Sequence, residues 1–233
     1  MDLLSNISVP FEIPNESGYS LFQDDETGII NIKIPNGDLL YSEQFFSKKF
    51  SDRSIEYLLE NDTYNWKDTK WREISNDEFL KLRFKNMLWK REDINMFGKS
   101  VPLPRITSWY GDKGRSYKYS GIFSRPNEWN KGPLSIKQKV EEIAEVNFNS
   151  LLLNWYRDGD DYLNWHSDDE QKLGVNPVIA SVSFGATRDF VIRNLDKSQK
   201  ISIPLKHGTL LIMRGGNATI LATFGTQEEG SNR

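Results

Sequence analysis

The 233-residue chain has no cysteine, only two histidines (His166 and His207) and no apolar run long enough to span a membrane as a helix. Each absence excludes something. Without thiols, neither a disulfide framework nor a thiolate metal centre can form. Two imidazoles are all that a nitrogen-ligated metal could draw on. Internal repeats and low-complexity tracts are missing, and the start, Met1-Asp2-Leu3-Leu4, lacks the basic flank and apolar core of a secretory signal. What remains is ordinary: 37% hydrophobic and 27% charged residues describe a globular domain with a real core. A monomeric, intracellular protein, cytoplasmic or nuclear and without a membrane partner, is therefore expected.

A net charge of −3 argues against a protein that coats nucleic acid through bulk charge. The charge is unevenly spread, however. Residues 66–125 hold 14 Lys/Arg against 7 Asp/Glu, which leaves 16 against 26 elsewhere. The basic middle reads either as a phosphate-binding face or as the solvated face of a mixed-charge protein.

Residues 1–36 alternate short apolar runs with Pro and Gly and show no sustained period, so an irregular lead-in is expected. Leu39 to Tyr41 reads as a short strand and Ser47 to Glu60 as a helix with Phe50, Ile55, Leu58 and Leu59 on its apolar side. Ser75-Asn76-Asp77-Glu78 is a capping box that predicts a second helix to about Leu88. A second capping box, Ser135-Ile136-Lys137-Gln138, predicts a helix start whose apolar stripe is Ile136, Val140, Ile143 and Val146. From Phe148 the pattern turns to strands: Leu151 to Tyr156, Tyr162 to His166, Val178 to Phe184, Phe190 to Arg193, Ile201 to Leu205 and Thr209 to Met213. Many short strands with Gly and Asp turns predict an α+β fold, a double-stranded β-helix (jelly roll) with flanking N-terminal helices.

The most informative stretch is Asn154 to Glu170. If Trp165 to Asp169 is extended, the period of two places His166 and Asp168 on one face, so an imidazole and a carboxylate can chelate one cation. With a second His from a distant strand this becomes the 2-His-1-carboxylate triad of non-haem Fe(II) oxygenases. Asn154 and Tyr156 share the same spacing, and an amide and a phenol pointing together can hold a carboxylate.

Three blocks widen that signal: Phe148 to Gly159 (Phe-Asn-Ser-Leu-Leu-Leu-Asn-Trp-Tyr-Arg-Asp-Gly), Trp165 to Glu170 (Trp-His-Ser-Asp-Asp-Glu) and Ala180 to Phe190 (Ala-Ser-Val-Ser-Phe-Gly-Ala-Thr-Arg-Asp-Phe). Together with Pro104 to Asp112, Tyr117 to Gly121 and Leu205 to Gly215, they closely resemble the AlkB family of Fe(II)/2-oxoglutarate-dependent nucleic-acid dealkylases. The resemblance covers about Asp38 to Gly215. It implies Fe(II), with 2-oxoglutarate and O2 as co-substrates, and alkylated DNA or RNA as partner. The chemistry it implies is oxidation of an N-alkyl carbon followed by loss of an aldehyde. By position, His166 and Asp168 match iron ligands, Asn154 and Tyr156 match contacts to 2-oxoglutarate, and Asp169 and Glu170 sit where members touch the substrate base. Arg188 is a candidate on the co-substrate side. Phe97, in Met96-Phe97-Gly98-Lys99, stands where base-flipping members carry an apolar wedge, although a plain core Phe reads equally well. Trp109 and Tyr110 are pocket aromatics by the same match, or core aromatics by composition.

The family further needs a second ligand His in a Trp-x-His-x-Val-Pro word, followed by two arginines in an Arg-Ile-Asn-Leu-Thr-Phe-Arg strand. Neither word is present. His207 belongs to a His-Gly-Thr-Leu-Leu word that precedes the ligand in the family, so it is expected to be a hydrogen-bonding turn residue. The codons allowed by Asn217 to Gly230, read one base out of register, can spell Met-Gln-Gln-Tyr-Trp-Gln-His-Ser-Val-Pro, which contains the missing word. The domain is accordingly expected to span 37–216 as a truncated jelly roll, followed by an aberrant, frame-shifted tail at 217–233 without a closing strand. Function is expected to be oxidative dealkylation of N-alkylated bases as a family property, with this chain inactive. The rivals are a nucleic-acid-binding pseudoenzyme and a small-molecule dioxygenase using His207.

Overall fold

The computed structural model describes residues 7–96, 99–114, 117–119, 122–124, 126–166, 177–215 and 220–224. They divide into two compact units, 7–52 with 163–224 and 53–162.

The first unit is built from two antiparallel sheets. Five strands, β1 (Ser20–Gln23), β2 (Ile30–Ile34), β3 (Gly37–Ser42), β14 (Thr209–Gly215) and β11 (Ile179–Ser183), form one sheet in that order. Four strands, β10 (Leu163–His166), β15 (Ile220–Phe224), β12 (Arg188–Asn194) and β13 (Lys200–Leu205), form the other. Alternation along each strand turns one apolar row inward. Ile32, Leu39, Tyr41 and Leu211 from the five-stranded sheet join Phe190, Ile192, Ile201 and Ile203 from the four-stranded one in a single buried cluster. Ile32 and Ile203 are fully buried, and each such side chain contributes about 1.5–3 kcal/mol relative to exposure. Tyr41 lies in this core, and its hydroxyl donates to the Pro204 carbonyl at 3.3 Å. Burial, with the nearby Glu43 carboxylate, pushes that phenol's pKa far above its ordinary value.

Two expectations are corrected here. The lead-in is not irregular throughout: β1 and β2 pair with each other, and β2 pairs with β3 through a hairpin closed at Ile34 and Gly37. Its turn is Pro35-Asn36, with Asn36 at φ 68°, a left-handed conformation that Asn tolerates. Nor is the tail without a closing strand. Residues 220–224 pair with β10 on one side and β12 on the other. The apolar, β-branched text Ile-Leu-Ala-Thr-Phe suffices for a strand whatever chemistry it lacks.

The second unit contains most of α1 (Lys48–Leu59), then α2 (Asn76–Lys81), the hairpin β4 (Asp93–Met96) and β5 (Lys99–Pro102), and the pair β6 (Ile106–Gly111) and β9 (Ser150–Trp155). It also holds the pair β7 (Tyr117–Tyr119) and β8 (Ile122–Ser124), and α3 (Lys131–Ala144). The predicted capping box opens α2: the Glu78 amide donates to Ser75 Oγ at 3.2 Å and the Ser75 amide to the Glu78 carboxylate at 3.0 Å. The helix stops at Lys81 and does not reach Leu88. Leu82 is extended, and Phe84 bridges back to Asn61 and packs among Trp71, Phe79 and Trp155. Packing that ring outweighs another helical turn. The other helix begins five residues before its predicted start, capped by Asn130 in place of Ser135, and the Asn130 side-chain oxygen accepts from the Gly132 amide at 3.1 Å. Ser135 lies inside it and donates to the Gly132 carbonyl. Gly132 is needed there because a Cβ would stand 2.3 Å from the Tyr57 ring.

Candidate metal and co-substrate residues

His166 ends β10 in the first unit. The ladder between β10 and β15 slips between Leu163 and His166, so both residues, three apart, fall in register with inward rows of the sheet. Leu163 pairs with Phe224, which pairs with the buried Phe190; His166 pairs with Ala222, which pairs with the buried Ile192. The bulge thus aims the imidazole at the inner face, where a regular strand would have turned it away. His166 Nδ1 lies 2.9 Å from the Asn164 carbonyl oxygen, and since that oxygen can only accept, Nδ1 carries the proton. A backbone carbonyl at one ring nitrogen is the usual way a metal-ligating imidazole is oriented. Trp165, on the opposite side of the strand, lies under the Arg193 guanidinium at 3.6 Å.

Asp168, Asp169 and Glu170 lie outside the described residues, as does Phe97. Among the described residues no three His, Asp or Glu side chains gather as a metal cluster. The residue in register with His166 across β15 is Ala222, and its strand neighbours of the same parity are Ile220 and Phe224, so β15 brings no ligating residue type to that row. Among the described residues, His166 is accordingly the one candidate iron ligand that the sheet presents at this row.

His207 is held otherwise. Its Nδ1 accepts from the Gly185 amide at 2.9 Å, and its Nε2 reaches Asp52 Oδ1 at 3.2 Å. Both ring nitrogens are thus committed, which agrees with a structural turn residue. Asp52 is itself held below the usual carboxylate range, by Lys48 first and by His207 in addition. Arg188 opens β12 opposite Leu205 and is half-buried.

In the second unit β6 and β9 run antiparallel with Thr107 opposite Asn154 and Trp109 opposite Leu152. Alternation places Arg105, Thr107 and Trp109 with Asn154 and Tyr156 on one face. Tyr110 is on the other. It is buried, and its hydroxyl accepts from the Leu88 amide at 3.2 Å beside Met87 Sδ, so it belongs to the core and does not share the face of Trp109. The two adjacent aromatics cannot both line one pocket wall, because neighbours on a strand point apart.

Sequence reading missed two features. One is Arg105, 5% exposed, whose Nε donates to Asn154 Oδ1 at 2.8 Å. Its position two before Thr107 and four before Trp109 was the available signal. The other is the turn after β9. Asp161, with no exposed side-chain surface, accepts from Arg157 Nε at 2.7 Å, Arg157 Nη2 at 2.8 Å, the Arg157 amide at 2.9 Å and Arg72 Nη2 at 2.8 Å. Arg72 also grips Asp158, and its hydrogen bond is the main reason the Asp158 carboxyl sits below its ordinary range. The acidic run Asp158-Gly159-Asp160-Asp161 is a clamp.

Residues 38–220 match the 2OG-Fe(II) oxygenase superfamily. The chain belongs to this family. Its match starts in β3 and ends at the first residue of β15, so it takes in strands of both sheets and leaves out β1 and β2. Alpha-ketoglutarate-dependent dioxygenase alkB homolog 3 of Mus musculus is 45% identical over 154 residues, 60% of this chain and 51% of that protein. DNA oxidative demethylase ALKBH2 of Homo sapiens is 40% identical over 128 residues, 52% of this chain and 49% of that protein. The chain spans about half the length of these curated relatives. The structure of OsALKBH1 superposes with a TM-score of 0.49 over 84% of this chain and 87% of that one, at 13% identity. This AlkB-like oxygenase has the jelly-roll class expected of it, and the family implies Fe(II), 2-oxoglutarate and O2.

Proposed function

We propose that this AlkB-like oxygenase carries the site for oxidative dealkylation of N-alkylated bases in DNA or RNA, in a form that lacks its distal iron ligand. The observation that carries the reading is the His166 imidazole, turned inward by a bulge and oriented by the Asn164 carbonyl. His166 and Asp168 hold the metal, and Asn154 and Tyr156, with Arg188, hold 2-oxoglutarate. Trp109, Asp169 and Glu170 meet the base, and Phe97 supports the opened stack. When bound, Fe(II) and 2-oxoglutarate supply the oxidising power, and the residues of the chain supply position and exclude water.

Ala222 opposite His166 favours a second reading, a nucleic-acid-binding pseudoenzyme. The frame-slip account decides between the two. A base-resolved read of the gene around Gly216 is expected to reveal one base gained or lost, and the frame-restored protein is expected to release succinate and demethylate N1-methyladenine or N3-methylcytosine in oligonucleotides. The chain as it stands is expected to do neither. Binding of the methylated oligonucleotide without turnover, from a gene whose frame proves intact, selects the pseudoenzyme. A frame-restored protein that leaves both methylated bases untouched sinks the dealkylase reading.

A further inference from the structure

The outer face of the four-stranded sheet carries an aromatic ring and two cations that the residues assigned above do not use. On β10 the bulge that turns His166 inward leaves Trp165 on the other side, 39% exposed. Arg193 of β12 reaches across β15 and sets its guanidinium carbon 3.6 Å from the centre of the Trp165 ring. Lys200 of β13 stands in register with Arg193 and is exposed. Because the Asn194 amide donates to the Gln199 carbonyl, the next pair, Arg193 with Lys200, is a non-hydrogen-bonded one, with Cα atoms about 4.5 Å apart and both side chains on one face. Like charges so placed repel. Neither cation pairs with a carboxylate among the described residues, and Arg193 Nε is covered yet has no hydrogen-bond partner among them. Asp196, in the connecting turn, is taken up by the Ser198 amide at 2.9 Å. Asp189, on the same row of β12 as Arg193, lies four residues away, about 13 Å along the strand. Stacking on the indole uses the flat side of the guanidinium and leaves its N–H edge for an acceptor. The face therefore combines a stacking surface with two positive charges in need of an anion. A nucleotide answers both: bases stack on aromatic rings and on guanidinium planes alike, and a phosphate fits the N–H edge.

We propose that Trp165, Arg193 and Lys200 form a strand-binding site separate from the residues assigned to the methylated base. It holds an unpaired nucleotide of a single-stranded nucleic acid, with the base on the Trp165–Arg193 stack and the phosphate against Arg193 and Lys200. The class of partner rests on the proposed function. In a duplex the flat sides of the bases are already stacked on their neighbours, so this platform selects a single strand.

Anisotropy titrations of the full chain with a labelled, unmethylated oligothymidylate, without metal, read this site apart from any lesion chemistry. Trp165→Ala is expected to weaken binding about tenfold with an unchanged salt dependence, and Trp165→Phe to restore most of it. Lys200→Gln is expected to lower the slope of log affinity against log salt by about 0.7, the share of one phosphate on a single strand. Arg193→Gln should do both. The same tract annealed to its complement is expected to bind more weakly and to be indifferent to Trp165→Ala. Lys200→Gln changes an exposed side chain, so it decides the matter if the Trp165 variants fail to melt cooperatively. Folded variants that bind the oligonucleotide as the unaltered chain does overturn the proposal, as does an unaltered chain that binds none. A Trp165→Ala that weakens duplex and single strand alike overturns the stacking of an unpaired base. The dealkylase reading is judged separately, by turnover of the frame-restored protein.

Discussion

At the level of single residues, the two histidines have opposite surroundings, and the difference predicts their behaviour. His166 sets Nδ1 against the Asn164 carbonyl of its own strand, whereas His207 is engaged by Gly185 and by Asp52, from elsewhere in the fold. In Mn(II) titrations, His166→Ala is expected to abolish residual metal binding. His207→Ala should leave it in place and cost about 1 kcal/mol of stability, the worth of a hydrogen bond or two. Equal losses of metal affinity in the two variants would restore His207 as a ligand. The small-molecule dioxygenase reading, which needs His207 at the metal, stands or falls with the same titration.

Elements come next, and the turn after β9 matters most because it leads within five residues from a clamped carboxylate to His166. Asp161 is buried among Arg157 and Arg72, so Asp161→Asn breaks a buried pair and is expected to cost about 3 kcal/mol in denaturant unfolding. Asp158 is one-third exposed, and Asp158→Asn is expected to cost under about 1 kcal/mol at pH 7. Its pH dependence has a definite sign. The Asp158 carboxyl is depressed in the folded state, chiefly by Arg72, so its contribution is complete above the unfolded value of about 3.9 and disappears as pH falls through the lower folded value. Unfolding curves of the parent and Asp158→Asn should therefore differ at neutral pH and converge on acidification. A gap that widens in acid contradicts the assignment. The hairpin of β4 and β5, in which Met96 pairs with Lys99, gives a further test. In the frame-restored protein, Phe97→Ala is expected to slow demethylation on duplex more than on single strands, because a wedge serves only where a stack must be opened. Equal slowing on both, with a lower melting temperature, identifies a core residue.

For the molecule as a whole, the tail presents a separation of fold from chemistry. Its strand β15 lies between β10 and β12, so it supports the histidine's strand while bringing Ala222, and no ligand, opposite His166. Truncation after Gly215 is expected to remove hydrogen-bond partners from β10 and β12 together. Amide exchange at Leu163 to His166 and at Phe190 to Asn194 should accelerate, and thermal unfolding should shift down. Unchanged protection at both strands would show that 220–224 contributes nothing to the sheet. Among the described residues, no helix is long and apolar enough to cross a membrane. The basic stretch at 66–125 falls within the second unit, beside the same chain segments that carry the hairpin and β6.

Local signals were enough for much of this. Alternation from Leu151 to Met213 announced six strands to within two or three residues, because an apolar row every second residue has no other way to be buried. The capping box at Ser75 was legible for a similar reason: it satisfies its own free amides within four residues. The family blocks around His166 were legible as chemistry, and the absence of a second ligand word was legible as a lack. Only the tertiary structure decided the rest. Phe84 ended α2 because its ring packs against Trp71 and Trp155, and Asn130 capped α3 because Asn86 and Tyr57 hold it from far along the chain. Tyr110 went to the core and Arg105 to the face of Asn154 because β9, forty-odd residues away, fixed which side of β6 was which. His166 was turned inward by a slip in register against β15, a strand whose residues had given no sign of belonging to the sheet. In each case the deciding energy came from a partner distant in sequence, and such a partner leaves no mark in the local pattern.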